Sequence, residues 1–137
     1  NVMTPDIARL AALRATKADR EQIRACADAM LDMDQTLDEL TEASLRFWKR
    51  LILASENVAY RLAFNSMIVS FVEDTAAFRP VIEKELRAGP LYVSIAKAIE
   101  SGNEKMALKK TAALVSLGSG AILNLIEQIE HAVVKVD

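Results

Sequence analysis

The side chains best equipped for chemistry are few and scattered along the chain. His131 is the single histidine, with Glu127 and Glu130 close to it in sequence. A transition-metal site draws on several His, Cys or carboxylate ligands around one point, and one histidine is not such a set. The same shortage argues against a Ser-His-Asp or Cys-His hydrolase, so His131 reads as a solvated surface residue. Glu73 and Asp74 are adjacent in "FVEDTAAF". Neighbouring helix residues diverge by about 100°, which makes them a poor acid–base pair and a natural solvated helix end. "SLGSG", Ser116 to Gly120, lacks the spacing and the lysine of a phosphate-binding loop. Two glycines within a helix each cost about 1 kcal/mol relative to alanine. Close approach of a neighbouring helix would offset that cost. So would room for a ligand beside the helix, with Ser116 or Ser119 offering a hydroxyl, and the letters leave both open.

The elements that must position these groups are helices. Apolar residues recur at three- and four-residue steps, as in Ile7, Leu10 and Leu13 or Leu45, Trp48, Leu51 and Ile52, with Lys, Arg and Glu opposite. Strand alternation is absent. Start signals stand at Thr4 before Pro5, at Thr16 or Lys17 before Asp19, and at Thr36 with Glu39 three residues on. The pattern predicts helices over 5–15, 18–34, 36–55, 57–76, 79–87, 90–101 and 103–134, an all-α domain. "RAGP" and "ESGN" are the firmest breaks. "LAFNSMIVSFV" and "ALVSLGSGAILNLI" are apolar almost all round, which predicts two central helices covered on several sides.

The totals narrow the function classes. With 137 residues, 52% of them apolar, the chain suffices for one domain with a sizeable core, and no composition break divides residues 1–137. The 17 basic and 19 acidic residues give a formal net charge of −2, with no long block of either sign. The electrostatic footprint of a nucleic-acid or anionic-membrane binder is missing. The single Cys26 lies on an apolar helix face and reads as a reduced, buried thiol, which points to the cytoplasm. No apolar run approaches the ~18 residues of a bilayer span, and the first ten residues lack a signal peptide's basic segment and apolar core. A start at Asn1 rather than methionine reads as a fragment or a processed product.

A helix ending in "LILASEN", followed by "VAYRLAFNSM", a turn at "ESGN" and a last long helix, resembles the C-terminal effector domain of GntR-family transcription regulators of the FadR subfamily. The likeness covers nearly the whole chain. Its strongest local match is the helix end Ala54, Ser55, Asn57 with Tyr60 three residues after the asparagine. Glu56 stands where the family usually has glycine and Val58 where it usually has proline. The resemblance implies an antiparallel bundle of six or seven helices around a central ligand cavity. It also implies a homodimer in the full-length regulator, and contact with DNA only through an N-terminal winged-helix domain that precedes residue 1. The domain implied is not an enzyme.

Most members of that subfamily hold a metal with an aspartate, a histidine four residues later and histidines on two later helices. Carried over by spacing, those positions fall on Ser44, Trp48, Tyr92 and Leu114, none of which keeps a family ligand. The resemblance therefore implies a site with no metal and no cofactor, in which an aromatic and apolar wall replaces an ion-holding one. The fatty-acyl-CoA-responsive member that gives the subfamily its name also lacks the metal set, and "FNSM" and "LASEN" look more like its helices. The effector expected is an apolar or acyl compound, a fatty acid or acyl-CoA. The family's arginine for small organic acids falls at Glu73. Ser44, Trp48, Tyr60, Tyr92, Leu114, Gly118 and Ser119 are the expected ligand-binding residues, with Trp48 and the glycines lining one cavity between the third and last helices. A ligand-free interaction module, its core filled by Trp48, Tyr92 and Leu114, is the rival reading.

Overall fold

The computed structural model describes residues 3–73 and 82–118, the side chains of 67–73 excepted. Each described helix begins at a local signal. The α1 helix, Met3–Arg14, takes Pro5 in its first turn. The α2 helix, Lys17–Ala29, starts at a capping box: the Thr16 hydroxyl accepts from the Asp19 amide and the Asp19 carboxylate accepts from the Thr16 amide. The α3 helix, Leu37–Ser55, opens on the same device built from Thr36 and Glu39. Asn57 Oδ1 accepts the Tyr60 amide at the head of α4, Val58–Glu73. A helical stretch over 82–86 precedes α5, Gly89–Glu100, and Asn103 caps α6, Glu104–Leu117. No strand occurs among the described residues, and the fold is an all-α bundle.

Three expectations need correction. The α2 helix stops at Ala29 rather than 34, because Gln35 turns its amide back onto the Ala29 and Asp32 carbonyls and the Asp32 carboxylate takes the Asp34 amide. These side-chain bonds offer the backbone an alternative to another helical turn. The last helix does not run unbroken through Gly118, which leaves helical geometry at φ −133° and ψ −66° with its N–H bonded to Val115; the remainder of 119–134 lies outside the described residues. Nor is the start of α4 central. Val58 and Leu62 are each about 60% exposed, and only Tyr60 and Phe64 of that segment are packed against the core.

Among the described residues the central position belongs to α1. It buries Ile7, Ala8, Leu10, Ala11 and Ala12, and it packs against α6, α3 and α5. Its alanines supply the small contacts that let three helices crowd one. On the other side α2 packs on α5 and α3, while α5 and α6 form a hairpin across the Ser101–Asn103 turn. Arg20 ties the assembly together: its guanidinium donates to the Ala12 and Ala15 carbonyls at the end of α1 and to the Ile99 and Glu100 carbonyls at the end of α5. A cation at two helix C-termini also meets the negative ends of both dipoles. Gly89 is fixed by close approach, since a Cβ there would sit 2.5 Å from the Met30 carbonyl oxygen.

The "ASEN" helix end does concrete structural work. Ser55 is fully buried, its hydroxyl donates to the Ile52 carbonyl, and its own carbonyl accepts from Arg14. Glu56 adopts φ 53°, the left-handed conformation that ends a helix and suits glycine. Val58 is the first residue of α4, where proline is well tolerated. The two departures from the family pattern thus fall at the two backbone positions where Gly and Pro have a physical advantage.

Candidate functional site

Ser44 and Trp48 lie one turn apart on α3, so their side chains share a face, and each is 7% exposed. Phe47, beside Trp48, is wholly buried, as is Tyr92 on α5. The three rings meet edge to face or tilted: Phe47 and Tyr92 centroids are 5.0 Å apart, Phe47 and Trp48 5.2 Å, and Trp48 and Tyr92 6.4 Å. Such arrangements set a positive ring edge against a negative ring face. Ser44 Oγ and the Tyr92 hydroxyl are 2.9 Å apart, a buried hydrogen bond between α3 and α5. Each hydroxyl thereby meets the other's need for a partner in a dry environment.

Burial pushes the Tyr92 phenol far above its ordinary value, the Glu85 carboxylate adds to that rise, and the hydrogen bonds with Ser44 and Trp48 oppose it. Tyr92 is accordingly a neutral phenol at any physiological pH and serves as a hydrogen-bonding group, not a base. Glu85 belongs to the 82–86 helical stretch and is only 8% exposed. It lies over the end of α6: a Cβ on Gly118 would come within 2.5 Å of Glu85 Oε2 and 3.3 Å of the Ile82 Cα. Close helix approach thus accounts for a glycine at this position.

Leu114 and Thr111 are both fully buried on α6 and share a stripe with Ala107 and Val115. The structure therefore brings Ser44, Trp48 and Tyr92 into one cluster and places Leu114 in the same core. Tyr60 stands apart. Its hydroxyl donates to Asp6 Oδ2 at 2.7 Å, and Arg9 bridges the same carboxylate to Glu104 of α6. The hydrogen bonds from Tyr60 and Arg9 hold the Asp6 carboxyl below its usual range, and Asp6 in turn raises the Tyr60 phenol. Tyr60 is thus the pin between α4 and α1. Ser119 and His131 lie outside the described residues, and so does Asp74. Cys26 is a half-buried free thiol.

Among the described residues no three His, Cys, Asp or Glu side chains converge as a metal ion would require, and no helix is long and apolar enough to cross a membrane. Sequence reasoning missed Phe47, Glu85 and Thr111. Phe47 adjoins Trp48 and Thr111 lies one turn before Leu114, so their positions were within reach of helical spacing. The burial of Glu85 carries no local signal, because "IEKEL" reads as an ordinary amphipathic turn.

A helical frame with a central α1, the "ASEN" helix end and an aromatic cluster between α3 and α5 invites comparison with known families. The FCD domain model matches residues 1–116. The chain belongs to the FCD domain family. That domain is the C-terminal effector-binding domain of GntR-family transcription regulators, a regulatory ligand-binding module and not a known enzyme family. A comparison with curated proteins gave no match. In this FCD domain the match covers α1 through nearly all of α6 and includes every described residue of the aromatic cluster.

Proposed function

We propose that this FCD domain belongs to a FadR-type regulator and senses an apolar, acyl-type effector, a fatty acid or acyl-CoA, without a metal ion. The observation that carries the reading is the character of the α3–α5 cluster. At the positions expected for metal ligands stand Ser44, Trp48, Tyr92 and Leu114, two of them joined by a hydrogen bond and none of them charged. An apolar wall with a few placed hydroxyls is the usual lining of a site for a largely hydrocarbon ligand. The effector shifts the protein between DNA-competent and incompetent states by its differential affinity for the two. DNA is contacted by a separate N-terminal DNA-binding domain, and the regulator is a homodimer that sets two such domains on two half-sites.

Thermal unfolding with and without hexadecanoyl-CoA tests the acyl reading, with elemental analysis of the dialysed protein beside it. A ligand that prefers the folded state stabilises it by about 2.7 kcal/mol at a hundredfold excess over Kd, and so raises the melting temperature. A stoichiometric zinc, nickel or manganese whose chelation lowers stability would overturn the metal-free reading. Sedimentation of the full-length regulator as a monomer at micromolar concentration would overturn the dimer.

A second reading has its own support. Phe47, Tyr92 and Leu114 are completely buried and the Ser44–Tyr92 pair is mutually satisfied, as in a filled core. On that reading the domain is a ligand-free interaction module, and no small molecule shifts its unfolding.

A further inference from the structure

The buried hydroxyls of the described core are nearly all accounted for. Ser44 and Tyr92 bond to each other, and Ser55 donates to the Ile52 carbonyl. Thr111 is the exception: it is fully buried, and its Oγ1 has no hydrogen-bond partner. A threonine within a helix ordinarily has recourse to the carbonyl one turn back, and a buried hydroxyl left without a partner is disfavoured. Its place in the fold is specific. The α5–α6 hairpin is antiparallel, because its helices are joined by three residues and pack along their length. Tyr92 lies eight residues before Glu100 and Thr111 seven after Glu104, so they stand about 12 and 10.5 Å from the helix ends at the turn, at similar heights in the bundle. One level thus holds the Ser44–Tyr92 bond, the rings of Phe47 and Trp48, and an unused hydroxyl on the adjoining helix.

We propose that Thr111 is a ligand-binding residue that donates its hydroxyl proton to the carbonyl oxygen of an acyl effector held beside the Ser44–Trp48–Tyr92 cluster. The inference rests on the acyl-sensing reading above and goes beyond it by naming the recognised group and the side chain that recognises it. The hydrocarbon chain supplies affinity through burial, while the carbonyl supplies selectivity against compounds that lack it. No Lys or Arg among the described residues is buried, which suits a hydroxyl contact with an oxygen acceptor rather than an ion pair.

The test compares hexadecanoyl-CoA with its S-hexadecyl thioether, which has the same chain and headgroup but no carbonyl, on the unmodified chain and on Thr111→Val and Thr111→Ser. Loss of one neutral hydrogen bond corresponds to about a five- to tenfold change in Kd. The unmodified protein should prefer the thioester by that factor. Thr111→Val should lose the preference by weakening the thioester alone, with a melting temperature equal to or above that of the parent, because valine removes an unpartnered hydroxyl at nearly equal volume. Thr111→Ser should keep the preference. A hexadecanoic acid arm identifies the source of the carbonyl: a loss on Thr111→Val seen for the acid instead of the thioester keeps the contact and assigns it to the free acid. Equal binding of both CoA compounds by the unmodified protein, together with hexadecanoic acid binding unaltered by Thr111→Val, overturns the inference, and so does an undiminished preference for the thioester in Thr111→Val. Failure of the unmodified protein to bind any of the three removes the acyl reading, and the Thr111 contact with it.

Discussion

Replacing Tyr92 with phenylalanine removes the buried hydroxyl that joins α5 to Ser44 and Trp48 of α3. The ring is kept, so the edge-to-face contact with Phe47 at 5.0 Å and the tilted contact with Trp48 at 6.4 Å survive. What is lost is the partner of Ser44 Oγ, 2.9 Å away and 7% exposed, together with the hydrogen bond to Trp48. A buried hydroxyl stripped of its partner costs about 1–3 kcal/mol, whereas removing both hydroxyls together is close to neutral. Tyr92→Phe and Ser44→Ala should therefore each destabilise by about 1–2 kcal/mol, and the double variant by less than the sum, because Ser44 no longer needs a partner although Trp48 still lacks one. In a domain of this length 1 kcal/mol moves the melting temperature by about 3–5 °C. Urea unfolding followed by Trp48 fluorescence and by far-ultraviolet circular dichroism measures all three variants. Additive losses would show that the two hydroxyls do not depend on each other. A Tyr92→Phe variant as stable as the parent would remove the buried pair from the account.

Glu56→Gly should stabilise the domain by about 0.5–1 kcal/mol, because position 56 holds φ 53° and glycine adopts it without strain; a raised urea midpoint is the readout. Gly118→Leu should destabilise by about 1–3 kcal/mol through overpacking, since even its Cβ would sit 2.5 Å from Glu85 Oε2. A stable Gly118→Leu variant that still responds to hexadecanoyl-CoA would remove both the close contact and the role of Gly118 in a cavity. Asp6 has a folded carboxyl below its unfolded value of 3.8, so its contribution is present above that value and is lost as pH falls through the folded one. Asp6→Asn should flatten the acid limb of stability against pH below about 4, and an unchanged limb would remove the Tyr60–Asp6–Arg9 pin as a source of stability.

Local signals were the legible part of the fold. Thr16 with Asp19 and Thr36 with Glu39 marked helix starts that the structure reproduces as reciprocal capping boxes, and "ESGN" marked the α5–α6 turn. The early end of α2 was not legible, because Gln35 and Asp32 act through side-chain bonds that helical propensity does not register. Nor was the exposure of Leu62, since an apolar helix announces that it wants cover without saying whether the described part of the chain provides it. The site shows the same division. Spacing alone put Ser44 and Trp48 on one face, but only the family resemblance pointed across the bundle to Tyr92. Thr111 and Glu85 became visible through burial, which is a property of the packed helices and not of their letters.

The central claim is that an acyl effector binds against the aromatic cluster between α3 and α5. Trp48 is the only tryptophan and lies in that cluster, so its emission reports on this place alone. Titration of the chain with hexadecanoyl-CoA should give a saturable change in Trp48 fluorescence whose midpoint agrees with the concentration dependence of the thermal shift. A flat titration at ligand concentrations well above the micromolar range, with no thermal shift, would contradict the claim and leave the filled-core reading in its place.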